Sequence, residues 1–328
     1  MKTWAIRVER TGGPEVLKWT EIDLVPPARG EVRVRHAAVG LNFLDVYHRT
    51  GLYPLPLPFT PGIEAAGVVE ALGPDVSDLA VGDRIAYASR PIGAYCVRRN
   101  MPADRVVKLP AHVALDVAAA VMLKGMSVHY LLRRTFKVER DHWILVHAAA
   151  GGLGSILVPW ARSLGAHVIA TVGSDEKAAR VRALGAEHTI VYTRENFVER
   201  VAAITAGRGV HVAYDSVGKD TLLGSIECLA PRGMIVSYGQ SSGSVPPLDL
   251  ALLAKRSTFL TRPSLFDYTA TRDELVAASN DVFDQIARGI VVNPIERRFE
   301  LRDAESAHRE LEGRKTSGSS VFTVTDGA

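Results

Sequence analysis

The stretch that decides the fold is His147-Ala148-Ala149-Ala150-Gly151-Gly152-Leu153-Gly154. A short apolar run, Trp143-Ile144-Leu145-Val146, precedes it, and a helix-prone segment follows as far as Leu164-Gly165-Ala166. Buried strand, tight glycine turn, then helix is the order in which a dinucleotide pyrophosphate is held. Free N–H groups and the positive end of the helix dipole face the anion. In this reading Gly151 lets the backbone approach the phosphates and Gly154 lets the helix pack close to the strand. Ala149 stands where the strict fingerprint has its first glycine, so the turn alone fits a plain glycine loop equally well.

The context decides. From Trp143 onward strands and helices alternate, with strands at 167–171, 189–191, 210–214 and 234–238 and helices at 176–184, 195–203 and 221–229. Such alternation predicts a parallel sheet covered on both faces, with ligands beyond the carboxyl ends of its strands. Gly165 and Gly185 each stand where a left-handed helix cap is wanted. Pro159 falls inside the helix after the glycine turn and is expected to kink it.

The first hundred residues have a different texture. Short strands at 5–8, 31–35, 66–72, 84–88 and 94–97 are separated by glycine and proline turns, with a helix at 42–49 and a proline-rich loop at 53–58. A long apolar helix at 117–135 leads into the alternating region. After Phe266 come a long helix at 272–288, a strand near Arg298, a helix at 303–311 and a final strand at 320–324, read as a return to the first module. The expected fold class is α/β: a β-rich catalytic domain interrupted by a Rossmann doubly wound parallel-sheet domain. The expected domain limits are 1–125, 126–265 and 266–328.

A chain of 328 residues with 47% hydrophobic and 23% charged residues is ordinary for a globular protein. The net charge of +3 gives no footprint for nucleic acid or an anionic membrane. Two cysteines, Cys96 and Cys228, make neither a disulfide framework nor a four-thiolate zinc site. No signal peptide or membrane-spanning run is read, and a cytoplasmic location is expected.

The strand after the glycine turn ends at Val172-Gly173-Ser174-Asp175-Glu176-Lys177. A site for NAD places a carboxylate here, roughly 20 residues beyond the glycines, on the ribose diol. Gly173 and Ser174 fill that place instead, and Lys177 follows within one turn. A small uncharged end plus a cation suits a 2′-phosphate, so NADPH is the expected cofactor, with Tyr192 adding a hydroxyl. Asp175 and Glu176 are the complication, read as acids that satisfy the helix dipole.

Six segments then carry a resemblance: Val39-Gly40-Leu41-Asn42-Phe43-Leu44-Asp45-Val46, Pro61-Gly62-Ile63-Glu64-Ala65-Ala66-Gly67, Lys124-Gly125-Met126-Ser127, the glycine turn, Tyr214-Asp215-Ser216-Val217-Gly218 and Gly318-Ser319-Ser320. Together they resemble the zinc-independent quinone oxidoreductases of the medium-chain dehydrogenase/reductase superfamily, the group that includes zeta-crystallin. The resemblance implies a GroES-like catalytic domain, NADPH in the interdomain cleft and a homodimer. It places Asn42, Phe43 and Asp45 against the nicotinamide side and Tyr130 close to the cofactor. Gly151 and Gly152 meet the pyrophosphate; Gly173, Ser174, Lys177 and Tyr192 meet the adenosine phosphate. Ser216, Tyr238, Gly239, Gln240 and Ser241 line the cleft, followed by Ser264, Leu265 and Phe266, and Arg314 adds a contact from the returning segment. Arg262 is assigned to a dimer-forming edge and left out of the site.

Zinc alcohol dehydrogenases of this superfamily use cysteine and a Gly-His-Glu histidine as ligands. Here Asn42 and Ile63 fill those places, and isoleucine cannot ligate a metal. No metal is expected. A quinone is an acceptor whose reduction product is aromatic, so the protein mainly has to hold it against the nicotinamide and exclude water. Asn42, as the group orienting the nicotinamide ribose, and Tyr47 and Tyr53, as stacking or hydrogen-bonding partners of the acceptor, are the candidate catalytic residues. Two alternatives remain: an NADPH-dependent reductase of activated alkenes (enones or enoyl thioesters), and a non-catalytic NADPH-binding structural or RNA-binding protein.

Overall fold

The computed structural model describes residues 1–292, 295–313 and 317–325. Two compact units emerge: residues 1–126, 269–287 and the described part of 293–328 form one, and residues 127–268 with 288–292 the other.

The first unit opens with β1 (Lys2–Arg7) and β2 (Lys18–Asp23), an antiparallel pair. The 11-residue β3 (Glu31–Leu41) follows, alternating inward Val32, Val34 and His36 with outward-turned Arg33 and Arg35. That is the period-2 signature of a half-buried strand. Helix α1 (Phe43–Thr50) ends at Gly51, left-handed at φ 81°. Then come β4 (Glu64–Leu72), β5 (Arg84–Ala88), β6 (Arg98–Pro102) and β7 (Val107–Lys108). The segment 94–97, expected as a strand, contributes only an isolated bridge between Cys96 and Ala5, and the strand lies one step later at Arg98–Pro102. Charged and proline residues hid that strand, as the polar surface face hid β2.

Helix α2 (Leu115–Tyr130) runs on through a π-helical turn at Leu131–Thr135. This 21-residue stretch is long and apolar enough to cross a membrane, which corrects the expectation that no such run exists. It is 67% buried inside the protein, as a core helix would be.

The second unit is built from β8 (Trp143–Val146), α3 (Gly154–Ser163), β9 (His167–Val172), α4 (Asp175–Ala183), β10 (His188–Val191), α5 (Phe197–Ile204), β11 (Val210–Asp215), α6 (Leu222–Glu227), β12 (Leu229–Ser237), α7 (Ala251–Ala254), β13 (Phe259–Thr261) and α8 (Leu265–Tyr268). The strand order is β10-β9-β8-β11-β12-β13, and every pairing is parallel. This is the doubly wound 3-2-1-4-5-6 order, which reverses at β8 and so leaves a crevice at the carboxyl end of that strand. Leu145, Ile169, Ile190, Ala213 and Ile235 form its core. Three-residue β13 was too short to register in the sequence. Helix α3 continues through Pro159. Gly165 and Gly185 take φ values of 87° and 101°, the left-handed caps expected.

The chain then returns to the first unit with α9 (Arg272–Ala287), β14 (Ile295–Glu300), α10 (Ala304–Glu312) and β15 (Ser319–Thr323). The larger sheet there has the order β14-β15-β3-β4-β5-β7, with β6 on β3. Its core gathers Ile6, Val34, Tyr87, Tyr95, Met101 and Phe322.

Candidate active site

The glycine turn sits at the carboxyl end of the central strand β8, where the parallel sheet leaves its crevice. Ala148 takes a left-handed φ of 49°, and its carbonyl accepts the Gly151 N–H at 2.9 Å. A Cβ on Gly154 would lie 2.4 Å from the Ala149 carbonyl oxygen, so only glycine lets α3 start this close to the strand. Gly151 and Gly152 are half-buried and lie one turn ahead of the helix. The backbone therefore forms a cradle that suits a pyrophosphate.

His147, at the base of the turn, is buried and joins Thr171 Oγ1 and Ser225 Oγ, each at 2.8 Å. Ser225 and Thr221 in turn donate to the Asp215 carboxylate, which also accepts the N–H groups of Val217 and Gly218. Burial holds His147 below its ordinary range against the pull of Asp215. This network braces the turn from beneath.

At the end of β9, Gly173 faces the Tyr192 hydroxyl, which a Cβ there would meet at 2.9 Å. Ser174 caps α4 by accepting the Lys177 N–H at 3.3 Å. Sequence reasoning missed Arg194. Its guanidinium forms a bidentate pair with Asp175 at 2.5 and 2.6 Å and holds that carboxyl below its usual range. The acid that complicated the 2′-phosphate reading is thus paired with a cation contributed from the loop after β10. Adjacent parallel strands β9 and β10 bring the two loops together.

The later strands end on the same side. Gly239 lies against Ser216, whose carbonyl a Cβ would meet at 2.7 Å and which accepts the Ser241 N–H. Burial raises the Tyr238 hydroxyl out of its ordinary range, with Ser216 hydrogen-bonded to it. Arg262, assigned above to a dimer-forming edge, also reaches this end of the sheet: its guanidinium donates to Ser237 Oγ and Gln240 Oε1, each at 3.1 Å. It follows β13 directly, and parallel pairing carries it to the same end as Tyr238. Tyr130 stacks on Tyr268 at 4.6 Å between centroids. Ser264 precedes α8, in which Leu265 is buried and Phe266 half-buried.

In the first unit, α1 displays Phe43 and Tyr47, with Tyr53 beyond it; the Phe43–Tyr47 and Tyr47–Tyr53 ring centroids are 6.2 and 5.2 Å apart. All three are half-buried, so an aromatic surface is available. Asn42, at the N-cap, turns its side-chain amide onto Glu64 Oε2 at 2.8 Å. Glu64 is fully buried and also accepts the Leu123 N–H at 2.7 Å and the Lys124 ammonium at 3.2 Å. Both residues stood in the motifs quoted above, yet nothing local in the sequence pairs them.

Asp45 is a correction. Its exposure is 0%, and its Oδ2 accepts the Asn42 N–H and the Tyr95 hydroxyl, both at 2.9 Å. It caps α1 from inside and presents nothing to a ligand. Tyr95 is linked to His308 Nε2 at 3.1 Å, His308 Nδ1 to Arg49 at 3.2 Å, and Arg49 to Glu312 by two 2.8 Å bonds. Arginine only donates, so His308 Nδ1 accepts and Nε2 carries the hydrogen. From Arg49 through His308 and Tyr95 each step therefore donates toward Asp45, while Arg49 also donates to Glu312. Burial pushes the Asp45 carboxyl up to about 7 and His308 down to about 3.

Among the described residues no group of three or more His, Cys, Asp or Glu side chains is placed to hold a metal ion. Ile63 is buried and apolar, and the Asn42 amide is committed to Glu64. His142, His167, His188 and His211 gather with Trp143 around the amino ends of the strands, His142 stacked on His211 and Trp143 on the other two. Cys96 and Cys228 are buried, and burial pushes each thiol up to about 12. Arg314 lies outside the described residues.

Two family models match the chain: an alcohol dehydrogenase GroES-like domain over residues 28–111 and a zinc-binding dehydrogenase over residues 152–277. A quinone oxidoreductase of Salmonella typhimurium is 48% identical over 97% of this chain and 99% of its own length. A 2-haloacrylate reductase of a Burkholderia species is 46% identical over 96% and 97%. The crystal structure of Escherichia coli quinone oxidoreductase complexed with NADPH superposes with a TM-score of 0.94 at 45% identity, covering 98% of this chain and 99% of that one.

Proposed function

The chain belongs to the quinone oxidoreductases of the medium-chain dehydrogenase/reductase superfamily, and from that premise we propose that it reduces quinones with NADPH, without zinc. When bound, NADPH supplies the hydride equivalent from its nicotinamide ring. A quinone that gains a hydride and a proton becomes an aromatic hydroquinone, so the chain's own task is to bind, align and exclude water.

The residues fit the cofactor. The glycine turn is a cradle that a Cβ at Gly154 would close, and its donors are backbone N–H groups. Gly173, Ser174, Lys177 and Tyr192 offer a small, hydroxyl-bearing and cationic surface to the 2′-phosphate, with Asp175 offset by Arg194. Ser216, Tyr238, Gly239, Gln240 and Ser241 continue this lining at the later strand ends, with Ser264, Leu265, Phe266 and Tyr130. Asn42 and Phe43 are assigned to the nicotinamide side, and Tyr47 and Tyr53 to stacking on the acceptor.

One observation carries the reading: the positions of the superfamily's metal ligands hold Asn42, tied to Glu64, and buried Ile63, while the phosphate cradle is intact. That donor set suits an acceptor that needs no Lewis acid. A second reading, reduction of an activated alkene, is favoured by the 46% identity to a 2-haloacrylate reductase. NADPH oxidation followed by stopped flow with 1,4-benzoquinone, 9,10-phenanthrenequinone and an enone separates the two. Turnover of the quinones is expected; fast turnover of the enone alone overturns the quinone reading.

The proposal includes a homodimer and a cytoplasmic location. Edge strand β13 exposes Phe259 and Leu260 at 56% and 38%, apolar surface at a sheet edge that a second copy would cover. Sedimentation at micromolar concentration tests the dimer.

A further inference from the structure

Glu64 is a carboxylate without solvent. Its exposure is 0%, and three donors converge on it: the Leu123 N–H on Oε1, and Asn42 Nδ2 and Lys124 Nζ on Oε2. The strand beside it is built to admit it. A Cβ on Gly40 would fall 2.3 Å from Glu64 Oε2 and 2.4 Å from the Ala119 carbonyl, so glycine is required for the carboxylate to reach this spot. Lys124 is itself 7% exposed, and its ammonium donates to the same Oε2 that receives Asn42.

This geometry removes an ambiguity that an asparagine ordinarily carries. An amide set against a carboxylate that already gathers a backbone N–H and an ammonium turns its NH2 toward it, which turns Oδ1 to the first turn of α1, where the Asp45 N–H faces it and a second lone pair remains to offer. Asn42 keeps 6% exposure where Glu64 keeps none, so Asn42 is the member of the pair that a ligand can reach. We propose that Glu64 is a positioning residue that locks the Asn42 amide with its nitrogen inward, so that Oδ1 is presented as the acceptor for a hydroxyl of the nicotinamide ribose. The inference rests on the assignment of Asn42 to the nicotinamide side made above. Lys124 holds Glu64 in register and acts one step further from the ligand.

The test is calorimetric binding of two ligands to the full chain. NADPH carries the nicotinamide ribose, and adenosine 2′,5′-bisphosphate lacks it. Asn42→Ala should weaken NADPH about tenfold, on the order of 1.4 kcal/mol, and leave the bisphosphate within about twofold. Glu64→Asp, which withdraws the carboxylate by one methylene but keeps the charge facing Lys124, should do the same. In the Asn42→Ala background Glu64→Asp should add nothing, because the group it positions is gone. Glu64→Gln is the stronger variant, since it leaves the buried Lys124 ammonium unpaired; if it does not fold, Glu64→Asp decides. Equal weakening of both ligands, or full additivity with Asn42→Ala, makes Glu64 merely structural and overturns the proposal. An effect of Asn42→Ala with none of Glu64→Asp also overturns it while sparing the Asn42 assignment. If Asn42→Ala leaves NADPH affinity unchanged, the assignment itself fails and takes the proposal with it.

Discussion

Arg194 grips Asp175 through two charge-assisted bonds of 2.5 and 2.6 Å, joining the loop after β10 to the first turn of α4. Both side chains are more than half exposed, so the pair adds little to stability and matters for the field it leaves around Gly173 and Ser174. With the pair intact, the acid beside the proposed 2′-phosphate site carries its own counter-ion.

Removing that counter-ion should cost NADPH more than NADH. Arg194→Ala is expected to raise the Michaelis constant for NADPH five- to tenfold and to leave that for NADH within about twofold. Lys177→Ala should act in the same direction. Steady-state kinetics with both cofactors at low salt provide the measurement; equal effects on the two would remove these residues from phosphate recognition.

Tyr95→Phe deletes the hydroxyl that donates to Asp45 and breaks the link to His308. A fully buried carboxyl that loses one of two donors should cost about 1–3 kcal/mol of stability, read as a fall in the urea midpoint at pH 7 with an unchanged slope. His308 lies in the same chain, so Tyr95→Phe and His308→Gln should combine to less than the sum of their separate effects.

The acid limb of stability should carry the mark of His308. Its folded value of about 3 lies below its ordinary 6.5 because it is buried beside Arg49. Its contribution is therefore whole above pH 6.5 and is lost as pH falls toward 3, because the unfolded chain takes up the proton first. His36, held at about 4 by burial between Cys96 O and the Tyr87 hydroxyl, adds in the same direction. Asp45 opposes both: raised to about 7, it stabilises most below pH 3.8 and loses that contribution as pH rises through 7. His308→Gln should reduce the slope of unfolding free energy between pH 4 and 6 by about 1.4 kcal/mol per pH unit, one proton's worth. Denaturant melts at several pH values read it, and an unchanged slope would refute it.

Gly154→Ala introduces a Cβ 2.4 Å from the Ala149 carbonyl. The helix start must shift away from the strand, at about 1–3 kcal/mol of stability, and the cradle opens with it. NADPH affinity should fall at least tenfold by fluorescence titration. Gly151→Ala meets only the Ala148 carbonyl at 3.2 Å and should fold more nearly as the parent does.

What the sequence determined by itself is local and periodic. Strand–helix alternation after Trp143, the glycine turn and the left-handed caps at Gly165 and Gly185 were legible because each is dictated by neighbours within a few residues. So was the Gly173-Ser174 strand end, whereas Asn42 and Ile63 stand at metal-ligand positions only by the family resemblance. The tertiary structure alone decided which distant groups meet. Glu64 receives Asn42, Leu123 and Lys124 from 22, 59 and 60 residues away, and Arg49 reaches Glu312 across 263. Asp45 read as a ligand contact and proved to be a buried cap, and Arg262 read as an edge residue and reached Gln240. A buried charge must find its partner wherever the fold delivers one, since the cost of leaving it unpaired is set by the low dielectric around it and not by its place in the chain.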